Sequence, residues 1–167
     1  MDMSLKTSES FDQVMEFYMP TVYRIAFSRL ANRSDAEDIT QEVFLRYFKA
    51  DLTFNDEEHR KAWLIHCAIN CTKSMATSAW FRHRAPEEEL ENIGAEDTIG
   101  KFELQDSVMK AVMSLPPKYR TVIHLFYYED MSITQISKAT GIKETTVKSQ
   151  LSRARDILRP MLEEVDF

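Results

Sequence analysis

Two groups of side chains have the types and spacing to do chemistry. The first lies along 145–159. Wound as a helix, this segment puts Lys148, Arg155 and Arg159 on a stripe with Thr145, Ser149 and Ser152, and Gln150 and Arg153 flank it. Basic side chains hold phosphates, and Ser, Thr, Gln and Arg can also hydrogen-bond base edges. A solvated amphipathic helix has a similar outer face, so the elements around it decide the meaning. The second group is Cys67 and Cys71, at i and i+4, with His66 adjacent. That spacing puts both sulfurs on one helical face, as two ligands of a metal site would be. Zinc would need two more ligands, and His66 points about 100° away from Cys67 around a helix. The other reading is a pair of small buried apolar residues. No nucleophile or carboxylate pair asks for catalysis. The sequence reads as a non-enzyme, with no metal and no cofactor assigned.

The basic stripe needs elements to present it. Ser132 caps a short helix with Ile133, Ile136 and Ala139 inward. Gly141 follows where the chain must turn sharply, and positive φ is cheap there only for glycine. A second helix then turns Val147, Leu151, Ala154 and Leu158 inside. This is the spacing of a helix-turn-helix, whose second helix enters the major groove of DNA. Upstream, Pro116-Pro117 ends a helical stretch from Phe102 to Leu115 and opens the next helix, with Tyr119, Val122, Ile123, Phe126 and Tyr127 on its apolar face.

The N-terminal part is helical in period as well. Phe11, Val14, Met15, Tyr18, Val22, Ile25, Ala26 and Leu30 mark one helix over 9–31, which Pro20 should break or kink. Ser34-Asp35-Ala36-Glu37 fits a capping box that starts a second helix over about 35–49. There Ala36, Ile39, Val43 and Tyr47, with Phe44 and Phe48 beside them, form the core stripe. Asp38, Gln41, Glu42 and Leu45 lie on the opposite side, an acidic and amide surface with one leucine. A third helix starts near Asp56-Glu57 and runs through Trp63 into the 70s. Asn70 shares the Trp63 face, where an amide must find a partner if buried.

Charge divides the chain. Its 167 residues carry a net −6, but residues 85–106 alone hold 1 basic and 8 acidic side chains. That self-repelling stretch contains two of the three glycines and no sustained apolar face, so it reads as an extended, flexible linker. With so few glycines, phosphate loops, Rossmann turns and turn-rich sheets are disfavoured. The apolar class is 44% and no run approaches a membrane span. The N-terminus has no basic-then-apolar leader. The expected protein is soluble, cytoplasmic and all-α. It has two small helical domains, 1–84 and 102–167, joined by an acidic linker over 85–101.

Four motifs in the C-terminal half resemble region four of the extracytoplasmic-function (ECF) class of bacterial RNA polymerase sigma factors. They are Leu115-Pro116-Pro117-Lys118-Tyr119-Arg120, Phe126-Tyr127-Tyr128-Glu129, Ser132-Ile133-Thr134-Gln135-Ile136, and the run from Thr146-Val147-Lys148 to Arg153-Ala154-Arg155. The segment from Asp35 to Leu45 is similar to the polymerase-binding helix of region two. Ala62-Trp63-Leu64-Ile65 with Asn70 resembles its promoter-melting segment. In this order the motifs cover nearly the whole chain.

The resemblance implies a role for each surface. Asp38, Gln41, Glu42 and Leu45 would dock on the coiled coil of the polymerase β′ subunit. Lys49 to His59, including Phe54, Asn55 and Asp56, would form the loop that captures an unstacked base of the downstream element. Trp63, Asn70 and Lys73 would stand beside that loop. Thr146, Lys148, Ser149, Gln150, Ser152 and Arg153 would read the upstream element. Partners would be core polymerase (β′ coiled coil and β flap), promoter DNA and an anti-sigma factor, which the family often uses. Two departures stand out. The family often has arginine where Gln150 stands. After Asn70 it commonly has an aspartate and a basic cluster, where this chain has Cys71-Thr72-Lys73-Ser74-Met75. The rival readings are an autonomous helix-turn-helix regulator and an inactive sigma-like decoy. A response-regulator receiver would need strands alternating with helices.

Overall fold

The computed structural model of the chain describes residues 10–77 and 106–163. All regular elements among these residues are helical. The expected acidic linker, and the start of the helix expected from Phe102, lie outside the described residues.

Helix α1 spans Phe11–Leu30 and opens with a reciprocal capping box between Ser10 and Gln13. It ends at Ala31, whose left-handed backbone (φ 53°) returns its N–H to the Phe27 carbonyl. Pro20 lies inside the helix and does not end it, so the break allowed by the sequence does not occur. Both Pro20 and Glu16, whose carbonyl loses its partner, are exposed, so water can take the place of the missing N–H. Helix α2 spans Arg33–Ala50 and is capped by Asn32 rather than Ser34: the Asn32 side chain accepts from the Asp35 N–H at 2.7 Å. Ala36, Ile39, Val43 and Phe44 are buried as the stripe requires. Phe48 is not part of it. It is 66% exposed and meets Phe11 edge-on at the surface. Helix α3 spans Glu57–Thr77, and its Leu64, Ile65, Ala68 and Ile69 complete a three-helix core with α1 and α2.

The second unit begins with α4 (Asp106–Met113). Pro116-Pro117 opens α5 (Pro117–Ile123), which widens into a π turn at His124–Tyr128. Helix α6 (Ile133–Thr140) carries the capping box of Ser132 and Gln135. Gly141 is left-handed at φ 79°. Helix α7 runs over Glu144–Glu163 and buries Val147, Leu151, Ala154 and Leu158, as the spacing predicts.

The two units share one apolar core, with α6 lying on α3 and α5 on α1. Polar side chains stitch the seam. Arg29 donates to Thr72 and to Thr121, each at 2.7 Å. Buried Arg120 donates to the carbonyls of Met113 and Arg29, both at 2.9 Å. His66 Nδ1 meets the Ala139 carbonyl at 3.1 Å. This packing could not be read from the local patterns.

Candidate nucleic-acid interface

The helix-turn-helix is built from short-range contacts. The Ser132 hydroxyl accepts the Gln135 N–H at 3.1 Å, and the Gln135 side chain accepts the Ser132 N–H at 2.8 Å. Gly141 turns the chain, and its N–H returns to the Ser137 carbonyl at 2.9 Å. The Ser137 hydroxyl donates to the Ile142 carbonyl, fixing the start of the next segment at 2.5 Å. Helix α7 then keeps its apolar stripe inside. Thr146, Lys148, Ser149, Ser152 and Arg153 all reach solvent on the free side of that helix. They form one surface of two cations and three hydroxyls, suited to phosphates and base edges.

Gln150 does not belong to that surface. It stands one turn after buried Val147 and one turn before buried Ala154, so the helical period draws it to the edge of the core. It is half-buried, and its Oε1 has no hydrogen-bond partner among the described residues. Of the six residues expected to read the upstream element, five share the free face and Gln150 does not.

Arg155 and Arg159 are exposed farther along α7. Arg155 is held in place. It donates to the Tyr127 hydroxyl at 2.8 Å and lies over the Phe126 and Tyr127 rings at 5.6 and 5.7 Å. The π turn presents these two rings, and no local sequence signal marks that turn or the pairing across 28 residues. Arg159 pairs with exposed Asp156 at 3.1 Å.

In the N-terminal unit, Asp38, Gln41 and Leu45 are exposed on α2, and half-buried Glu42 accepts from Arg46 at 2.7 Å. Leu45 is 48% exposed. With Phe11, Met15, Tyr23, Phe44 and Phe48 it lines an open groove between α1 and α2. An open apolar groove edged by Arg24, Arg33 and Glu37 suits a partner that brings apolar side chains.

The loop before α3 divides its expected residues. Asn55 and Asp56 are exposed, and the Asp56 carboxylate caps α3 by accepting the His59 N–H at 2.8 Å. Phe54 is 2% exposed, stacked on Tyr47 at 6.0 Å and against Trp63 at 6.3 Å, with the buried Arg60 guanidinium over its ring. Its ring faces the core rather than solvent and anchors the loop. Trp63 is half-buried, and Asn70 and Lys73 are exposed. Asn70 thus needs no buried partner.

Cys67 and Cys71 are buried, one turn apart on α3. Interaction with Cys71, together with burial, pushes the Cys67 thiol up. Interaction with Cys67, against burial and with help from Arg46, pulls Cys71 down to about 7. No group of three or more His, Cys, Asp and Glu side chains that could hold a metal occurs among the described residues. None of the described helices is long and apolar enough to cross a membrane.

Residues 14–82 match the family described as Sigma-70 region 2, and residues 105–158 match Sigma-70, region 4. The chain is 27% identical over 175 residues to the ECF RNA polymerase sigma factor SigW of Bacillus subtilis (strain 168), covering 94% of this chain and 91% of that protein. It is 30% identical over 147 residues to the RNA polymerase sigma factor SigV of the same organism, covering 87% and 86%. In fold it resembles the sigma factor RpoE of Bartonella quintana, solved in complex with the anti-sigma factor NepR. The TM-score is 0.65 at 23% identity, over 93% of this chain and 98% of that one.

Proposed function

The chain belongs to the ECF class of RNA polymerase sigma factors, and on that premise we propose how its two surfaces share the work. It binds core RNA polymerase and directs promoter-specific initiation, while the covalent chemistry belongs to the polymerase. Residues 1–84 act as the polymerase-binding and melting domain, 85–101 as the acidic linker and 102–167 as the reader of the upstream element. The exposed face of α2, Asp38, Gln41, Glu42 and Leu45, docks on the β′ coiled coil, and the C-terminal domain meets the β flap. On α7, Thr146, Lys148, Ser149, Ser152 and Arg153 contact the upstream element. Asn55, Asp56, Trp63, Asn70 and Lys73 face the downstream element, with Phe54 shaping the loop from within.

The observation that carries this reading is the free face of α7, two cations and three hydroxyls held outward by a buried stripe behind a capped helix and a glycine turn. The autonomous regulator is disfavoured, because residues 14–82 match sigma region 2 rather than a receiver. The work is cytoplasmic, where the polymerase is. An anti-sigma factor is a further proposed partner, since the structural neighbour was crystallised with one.

The test is transcription in vitro with core polymerase and a promoter library. The expected result is initiation at a defined subset of promoters that core polymerase alone does not use. Folded protein that neither co-purifies with core polymerase nor confers initiation would overturn the reading.

A further inference from the structure

Promoter recognition leaves Cys67 and Cys71 unused. They stand one turn apart on α3, both buried, and the charges of Glu42 and Arg46 on α2 act on both sulfurs. Cys67 keeps 9% of its surface and Cys71 3%, while the Arg46 side chain beside them is 53% exposed. The pair therefore lies close under the surface on the α2 side.

Geometry narrows what two such thiols can bind. Side chains at i and i+4 of a helix have Cβ atoms about 5–6 Å apart, whereas a disulfide requires roughly 3.5–4.5 Å. Joining the sulfurs directly would unwind α3, whose Ala68, Ile69 and Thr72 are packed in the core. One atom inserted between the sulfurs makes up the difference and leaves the helix intact. A closed zinc site would need four ligands, and the described residues offer no group of three. Trivalent arsenic needs only two protein thiolates, its third bond going to an organic substituent or hydroxide.

We propose that Cys67 and Cys71 form a dithiol site for trivalent arsenicals, with arsenic bridging the two sulfurs across one turn of α3. With phenylarsine oxide, two S–H bonds break and two As–S bonds form. The oxide oxygen leaves as water with both protons. Arsenic stays trivalent, so no oxidant or reductant is needed. Cys71 makes the first bond, because the neighbouring Cys67 and the Arg46 charge favour its thiolate. Cys67, one turn away, closes the ring.

The test titrates the full chain with phenylarsine oxide under native conditions and follows intact mass and thermal melting. One equivalent should be retained against an excess of a monothiol about 100-fold larger than the single-cysteine variants withstand, as an intramolecular second bond requires. A dithiol should release it. The melting temperature should rise, because a ligand held by the folded state stabilises that state. Cys67→Ser and Cys71→Ser should each lose the monothiol resistance, and Cys67→Ala serves if serine disturbs the packing. Equal retention by the single-cysteine variants would overturn the proposal. So would a melting temperature that falls, with uptake only in denaturant; wild-type protein alone decides that arm.

Discussion

Arg24 on α1 and Glu129 just past the π turn pair across 105 residues of chain, with Nε 3.1 Å from Oε2. The same carboxylate oxygen accepts from His124 Nε2 at 2.9 Å. Glu129 is buried, so Arg24 of the N-terminal unit and His124 of the C-terminal one meet at a single anion, and the Arg24 pair joins the two units.

This pairing predicts an acid-sensitive seam. Burial pushes the Glu129 carboxyl up, but the hydrogen bonds from His124 and Arg24 outweigh it and hold the group below its ordinary value. A folded value below the unfolded one stabilises the protein above the unfolded value, near 4.3, and that contribution is lost as pH falls through the folded value. Glu129→Gln should cost roughly 1–3 kcal/mol near neutral pH, as loss of a charged hydrogen bond does. Its stability should also fall less steeply than wild type below about pH 4. Denaturant melts across pH decide it, and parallel curves for the two proteins would refute the role.

On α2, Gln41→Lys with Glu42→Lys should abolish polymerase assembly and spare the fold. Gln41 is exposed, and Glu42 loses only its surface pair with Arg46. The stability change should therefore stay within about 0.5 kcal/mol. Co-elution with core polymerase, beside a thermal melt, checks both halves. A double variant that assembles at wild-type affinity would remove α2 as the docking face.

Lys148→Ala and Arg153→Ala should separate two kinds of DNA contact. Both side chains are exposed on α7. Lys148 is expected to anchor phosphate, so its loss should weaken all promoters about equally and flatten the salt dependence. Arg153, with its forked side chain, is expected to affect base choice at one position by about 1–3 kcal/mol. Transcription from single-base variants of the upstream element, across a salt series, measures both. Wild-type behaviour of both variants at every salt concentration would dismiss this helix as the reader.

Gln150 should matter little to promoter choice. Its half-buried amide leaves Oε1 unpartnered, a cost that an apolar side chain would remove. Gln150→Leu should keep the wild-type promoter ranking and gain up to about 1 kcal/mol in stability. A changed ranking in the same promoter series would restore Gln150 to the reading face.

What the sequence determined by itself is what depends on residues three or four positions apart. The capping box of Ser132 and Gln135, the left-handed Gly141, the proline start of α5 and the buried stripe of α7 all follow from local geometry. So does the outward placement of Lys148 and Arg153, because a helix that buries Val147 and Leu151 must expose the opposite side. The family's motifs are legible for the same reason. The tertiary structure decided matters that turn on distant neighbours. Pro20 is tolerated because its stretch of α1 faces water, and Asn32 rather than Ser34 caps α2 because the left-handed Ala31 ends α1 directly before it, two residues earlier than expected. Phe54 is drawn inside by Tyr47 and Trp63. Arg155 finds Tyr127 through a π turn, and Arg24 finds Glu129 only when the two units pack together. Burial depends on what the rest of the chain brings to a position, and no local window of sequence contains that.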